Sequence, residues 1–286
     1  DPLLIFFPVR LGVTGAAAAT CISEIVAIVM YSRQLIKRKI IKLSSFFRVP
    51  SWEQLRPLIL GGITIQMRAL AFSVSFIALQ RTTQAMDSTG VAAAAYTISL
   101  QFWQLGGIIL MALSTVASTI IPARIARADT QPLSTNPNEH KYLSVKQTAD
   151  RLLLWGLSLG VVLGSVQLCS IPILKVFSPI PEVAKAARTP SIILASVNFI
   201  NGLVFAGEGI MLGNRRFLSL GIHTAIGSAA MVTCLNLFGK STFGVYGSLF
   251  VLNFVRLVGV LRYHFIVSPF AETKIKNITN EKTQSF

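Results

Sequence analysis

Charge is what this chain has least of. Asp, Glu, Lys and Arg make up 13% of its 286 residues, against about 25% in an ordinary soluble domain. Acidic groups are the scarcer sign, 11 against 26 basic. Residues 88–123 hold neither sign. This excludes a soluble domain covered by a charged surface. The net charge of +15 raises nucleic acid as a partner. The basic residues, however, sit in gaps between apolar segments, which argues against nucleic acid. Cysteine is also scarce. Cys21, Cys169 and Cys234 all lie within apolar segments and have no ligand spacing. They exclude a disulfide framework and a metal centre and read as small buried apolar residues. No Gly-x-Ser-x-Gly, His-Glu-x-x-His, phosphate loop or paired-Asp motif occurs, so the chain reads as a non-enzyme without a cofactor.

What the chain does have is apolar length. Hydrophobic residues are 52% of the whole. A helix needs about 20 apolar residues to cross a bilayer. Seven stretches qualify: about 12–31, 57–80, 88–123, 152–174, 190–212, 217–238 and 243–267. The expected fold is therefore all-α, a polytopic membrane bundle of about seven spans. The third span is not uniformly apolar. Thr97, Gln101 and Gln104 recur at i, i+4 and i+7, which places them on one helix face. Buried amides without partners are costly in hydrocarbon, so this stripe should face other helices or a watery cavity.

Loop charge sets the orientation. Of the 26 basic residues, 18 fall in the gaps 33–56, 124–151 and 214–216 and in the tail from Arg262. Six fall on the opposite side, and Arg68 and Arg256 are inside helices. The richer side is cytoplasmic or its equivalent, such as stroma. The basic linker 33–56 contains LIKRKIIKLSSFFRV, which reads either as an amphipathic segment on anionic lipid or as a solvated loop. The gap 129–147, with Pro132 and Pro137, reads as a flexible loop. The end, from about Thr273, reads as disordered. The sequon at Asn277 falls on the cytoplasmic side and is discounted.

Gly12-Val13-Thr14-Gly15 opens the first span and Gly244-Val245-Tyr246-Gly247 the last, as if one element occurred in two repeats. Asp1 is neither an initiator Met nor the start of a signal peptide. The chain then reads as a fragment that lacks five earlier helices.

With that layout the chain resembles the MATE (multidrug and toxic compound extrusion) transporters. The likeness is carried by Asp1-Pro2 with the run GVTGAAAAT at 12–20, by GVAAAAYTISLQFWQ at 90–104, and by GEGIMLGNRRF at 207–217. The closest likeness is to the plant citrate-efflux type and its bacterial DinF-like relatives, through Arg68 and Gln101-Phe102-Trp103. The resemblance implies twelve helices in two lobes around a cleft that opens alternately to either side. It would make residues 1–32 the last helix of the amino lobe and 33–56 a cytoplasmic linker. Residues 57–267 would be the six-helix carboxyl lobe and 268–286 a polar tail. It implies antiport of a small organic solute against protons or sodium, in contact with membrane lipid and with the amino lobe as partner. A multidrug exporter of organic cations and, more remotely, a lipid-linked precursor flippase are the alternatives. Many of these transporters carry an acidic residue in the helix holding Arg68, and this chain has none between Glu53 and Asp87.

The candidate residues are those polar at depth. Arg68 reads as an anion-binding guanidinium, or else as a partner of Glu24 or Glu208 or a snorkelling side chain. Its net effect, with the excess of positive charge, points to an organic anion such as citrate. Gln101 and Gln104 are cavity candidates. Asn198, Asn201, Phe205 and Glu208 share a face at i, i+3, i+7 and i+10; the asparagines suit a solute, a cation or plain helix–helix hydrogen bonding. Glu24 and Glu208 are the ion-coupling candidates. Glu24 is expected to be buried, and it could equally serve as the partner of a basic residue. Glu208 has a simpler reading as a partner of Arg215 or Arg216. His223 reads as structural and Arg256 as snorkelling or capping a packing contact. Gly156, Gly160 and Gly164 form a small-residue seam.

Overall fold

The structure is a computed structural model and describes residues 12–40, 50–130 and 137–269. Asp1-Pro2, residues 41–49 of the basic linker, Pro132, Thr273 onwards and Asn277 lie outside the described residues. Among those described, the chain is helical with no strand. It runs α1 (Gly12–Lys37), α2 (Trp52–Gln84), α3 (Val91–Thr130), α4 (Pro137–Cys169), a 3₁₀ turn, the short α5 (Leu174–Phe177) and α6 (Pro181–Ala186), then α7 (Arg188–Gly213), α8 (Phe217–Phe238) and α9 (Thr242–Arg262), closed by a π-turn at Tyr263–Val267. Seven of the described helical segments are long and apolar enough to cross a membrane. The protein is an integral multi-pass membrane protein.

Two compact units divide the chain, residues 1–58 and 59–286. In the first, α1 is a largely exposed helix whose buried residues are Gly15 and Ala19.

The second unit is organised on α7, the most buried span. It packs against α3, α4 and α9. Helix α3 runs parallel to it and in step. Ser191 donates to Ser99, Gly209 lies against Ser114, and Gly213 lies against Pro122. Helix α4 meets α7 along the glycine seam. A Cβ at Gly160 would stand 2.9 Å from the carbonyl oxygens of Asn198 and Phe199, and one at Gly164 would stand 2.9 Å from that of Ala195. Only glycine allows these backbones to come so close, and the close approach lets dispersion act over the whole interface. The unit has an apolar cluster at each end. Ala117, Leu152, Ile210 and Val260 belong to one and Leu79, Leu194, Met231 and Tyr246 to the other. Outside the bundle, Leu154, Trp155, Val162 and Val166 stay exposed, as a lipid-facing surface requires.

The helices run beyond their apolar stretches, which corrects several boundaries. Helix α1 continues to Lys37 and α2 starts at Trp52. The gap at 129–147 is not simply a loop, because α3 reaches Thr130 and α4 begins at Pro137. Proline at a first helical position has its φ preset and lacks only a donor that would be unpaired anyway. The third span begins at Val91 rather than Ser88, since the preceding residues form its cap. Asp87 accepts from the Thr89 hydroxyl (2.7 Å) and the Ala92 N–H (2.8 Å). Gly90, at φ +76°, supplies the left-handed turn.

Candidate functional site

Two polar centres are built into the second unit. The first is an ion triad on three helices. Glu208 of α7 faces Arg256 of α9 in a two-point pair: Arg256 Nε donates to Oε1 at 2.9 Å and Nη2 to Oε2 at 2.8 Å. The remaining Arg256 Nη1 donates to Asn253 Oδ1 at 2.7 Å. Arg68 of α2 donates its Nη2 to the same Glu208 Oε2. Its Nε donates to Thr224 Oγ1 of α8 at 3.1 Å, and Thr224 in turn donates to the Leu220 carbonyl at 3.0 Å. Phe72 lies beneath both guanidiniums, 5.2 Å from Arg68 Cζ and 4.8 Å from Arg256 Cζ. Aromatic faces favour cations there.

The triad is asymmetric in two ways. Two guanidiniums share one carboxylate, so one positive charge is left over. The Arg256 and Glu208 side chains are each 4% exposed, whereas that of Arg68 is 19% exposed. Arg256 and Glu208 form a forked pair with the geometry of a strong, fixed contact. Arg68 is attached by a single bond to an oxygen that already has a donor.

The second centre is a set of buried amides. Asn198 donates to Gln167 Oε1 of α4 at 2.6 Å. Gly106 of α3 leaves room for Asn198; a Cβ there would lie 3.2 Å from its Nδ2. Asn201, one turn on, is fully buried. Both polar atoms of its side chain lack a hydrogen-bond partner, as do Asn198 Oδ1, Gln167 Nε2 and Trp103 Nε1. Such atoms each cost about 1–3 kcal/mol when left unmade, so this region is under strain to hydrogen-bond.

The other sequence candidates lie apart. Gln101 and Gln104 are exposed and line a shallow pocket of about 270 Å³ with Phe76, Gln80, Tyr96 and Thr97. Glu24 is exposed on α1, contrary to the buried placement expected of it. Glu208 does not pair with Arg215 or Arg216; its partners come from α2 and α9 because α7 turns its buried face to them. Arg256 does not snorkel, since Glu208 and Asn253 satisfy its guanidinium inside the bundle. His223 is half-buried against Gly259. Thr224, Gln167 and Asn253 were not anticipated. Asn253 stands three residues before Arg256, a spacing that puts the two on one face.

No family model matches the chain. Among curated proteins it is similar to Protein DETOXIFICATION 44, chloroplastic, of Arabidopsis thaliana, 27% identical over 90% of this chain and 46% of that protein. It is also similar to Protein DETOXIFICATION 42 of the same plant, 26% identical over 88% of this chain and 45% of that protein. Among solved structures, a MOP superfamily transporter from Pyrococcus furiosus Vc1 matches with a TM-score of 0.58 at 18% identity, over 73% of this chain and 44% of that one. The chain thus spans about half the length of the relatives it matches.

The fold and its buried charges define a helical membrane bundle with an ion triad inside it. Within that class the similarities are to proteins of the MATE transporter family.

Proposed function

We propose that the chain is the last amino-lobe helix and the carboxyl-terminal lobe of a MATE-type exporter, and that the whole protein moves a small organic anion across the membrane by alternating access in exchange for protons or sodium. The observation that carries this reading is the surplus guanidinium: two arginines to one carboxylate, with Arg68 the more exposed. A substrate carboxylate takes the place of Glu208 on Arg68. Glu208 keeps its forked pair with Arg256, so no buried carboxylate is left without a cation. The lobe then holds one more negative charge and is neutral at the triad. Such a change biases the two open states only if they bind the anion unequally.

Citrate efflux and efflux of a fluorescent organic cation, measured side by side in proteoliposomes of the full-length protein with an imposed pH or sodium gradient, test this. Citrate movement that disappears in Arg68→Ala is the expected result. Cation movement that survives Arg68→Ala, with no citrate movement in the parent, overturns it and favours the multidrug reading.

A further inference from the structure

Helices α2 and α8 touch near both ends, and a groove runs along them between these contacts. At one end Phe217 lies over Gly61, and Thr64 Cγ2 sits where a Cβ on Gly221 would be 2.8 Å away. At the other, Thr82 Cγ2 would be 2.9 Å from a Cβ on Gly239. Between these contacts lies a groove of about 650 Å³, within the roughly 300–1,000 Å³ that small-molecule sites occupy. Its walls are almost wholly apolar: Met67, Leu70 and Val74 on one side, Ile222, Ala225 and Val232 on the other. Met67, Leu70 and Val74 are each more than half exposed, so the groove is open. A polar cross-link joins the helices at this level. Met67 and Ala71 flank Arg68 and line the groove. So do Gly221 and Ala225, which flank Thr224, and Arg68 donates to Thr224 between them.

We propose that this groove holds the hydrocarbon body of the anion whose charged group sits on Arg68, so that the substrate class is an amphiphilic organic anion, a single anionic group on an apolar tail. The inference rests on the anion reading above and deepens it. Its physical basis is charge complementarity next to apolar volume. A fully polar anion such as citrate uses Arg68 and gains nothing from the groove. An anion with a tail gains burial from each methylene it places there, about 0.8 kcal/mol or roughly fourfold in affinity.

The test is binding of a series of alkyl sulfonates, from ethane- to octanesulfonate, to the full-length protein in phosphatidylcholine nanodiscs. The parent is compared with Ala225→Phe and with Arg68→Gln. Ala225 is exposed, so a phenyl ring there fills the groove without crowding the core. The expected result is affinity that rises severalfold per added methylene in the parent, a flattened series in Ala225→Phe with ethanesulfonate unchanged, and loss of all members in Arg68→Gln. A series that depends on Arg68 but rises equally in parent and Ala225→Phe overturns the groove and leaves the anion reading standing. Ethanesulfonate that ignores Arg68 overturns both. Repeating the titration in phosphatidylglycerol nanodiscs separates the two sources of such an anion. An unchanged series supports a free amphiphile, and a series suppressed by the anionic lipid overturns the assignment in favour of a lipid headgroup.

Discussion

Glu208→Gln is the most damaging single change open to the triad, and Arg68→Gln should be far milder. Glutamine at 208 keeps the shape but removes the negative charge that two guanidiniums share. Both donate to one oxygen, Glu208 Oε2, so their nitrogens stand on the order of 5 Å apart. At an effective dielectric of about 20 two such charges repel by about 3 kcal/mol. Breaking a buried pair from one side costs about 3–5 kcal/mol on its own. Glu208→Gln should therefore lower unfolding free energy by about 4 kcal/mol or more. Arg68→Gln removes the charge-assisted bonds to Glu208 and Thr224, worth about 1.5–3 kcal/mol each, but also relieves the repulsion between the guanidiniums and leaves Arg256 and Glu208 as a neutral forked pair. The assay is unfolding of the full-length protein in mixed micelles by titration with dodecyl sulfate. An equal loss in the two variants would refute the asymmetry on which the releasable Arg68 depends.

Other predictions follow from the same contacts. Gly160→Leu should prevent α4 and α7 from meeting, since a Cβ already stands 2.9 Å from two carbonyl oxygens; loss of monodisperse protein on size exclusion is the expected readout. Gln167→Leu leaves the Asn198 amide without its acceptor and should cost about 1–3 kcal/mol, seen in the same dodecyl sulfate titration. The Asp87 carboxyl is held below its ordinary value, first by the Thr89 hydroxyl and then by the Ala92 N–H. Its capping contribution is thus complete above the unfolded value of about 3.9 and is lost as pH falls through the lower folded value. Hydrogen exchange at the start of α3 should speed up in acid beyond the intrinsic pH dependence, and Asp87→Ala should remove that extra acceleration.

Composition and apolar length were enough to read seven spans. Even the glycine seam on α4 was visible, because close helix packing requires small residues every fourth position. The helix ends were not, since α4 starts in a polar stretch that hydropathy reads as loop. The depth of Arg68, Glu208 and Arg256 was visible as charge inside apolar segments. Glu208 stood among the alternatives for Arg68 and is the partner found, whereas the place of Arg256 in the same cluster was not visible, because 48 residues separate it from Glu208. Local spacing favoured Arg215 and Arg216 for Glu208, and the three-dimensional packing of α7 against α9 decided otherwise. The glutamine stripe on α3 was correctly placed on one face, but periodicity says which residues share a face and not what that face meets. Gln101 and Gln104 came out exposed over a shallow pocket, while the buried polar centre gathered around Gln167, Asn198 and Asn201.

The central claim is that Arg68 is the seat of the transported anion, and equilibrium binding of labelled citrate to the full-length protein, parent against Arg68→Gln, addresses it most directly. Citrate bound by the parent and lost by at least tenfold in a variant that still runs as a monodisperse folded protein is the predicted result. Equal citrate binding by both proteins would contradict the account.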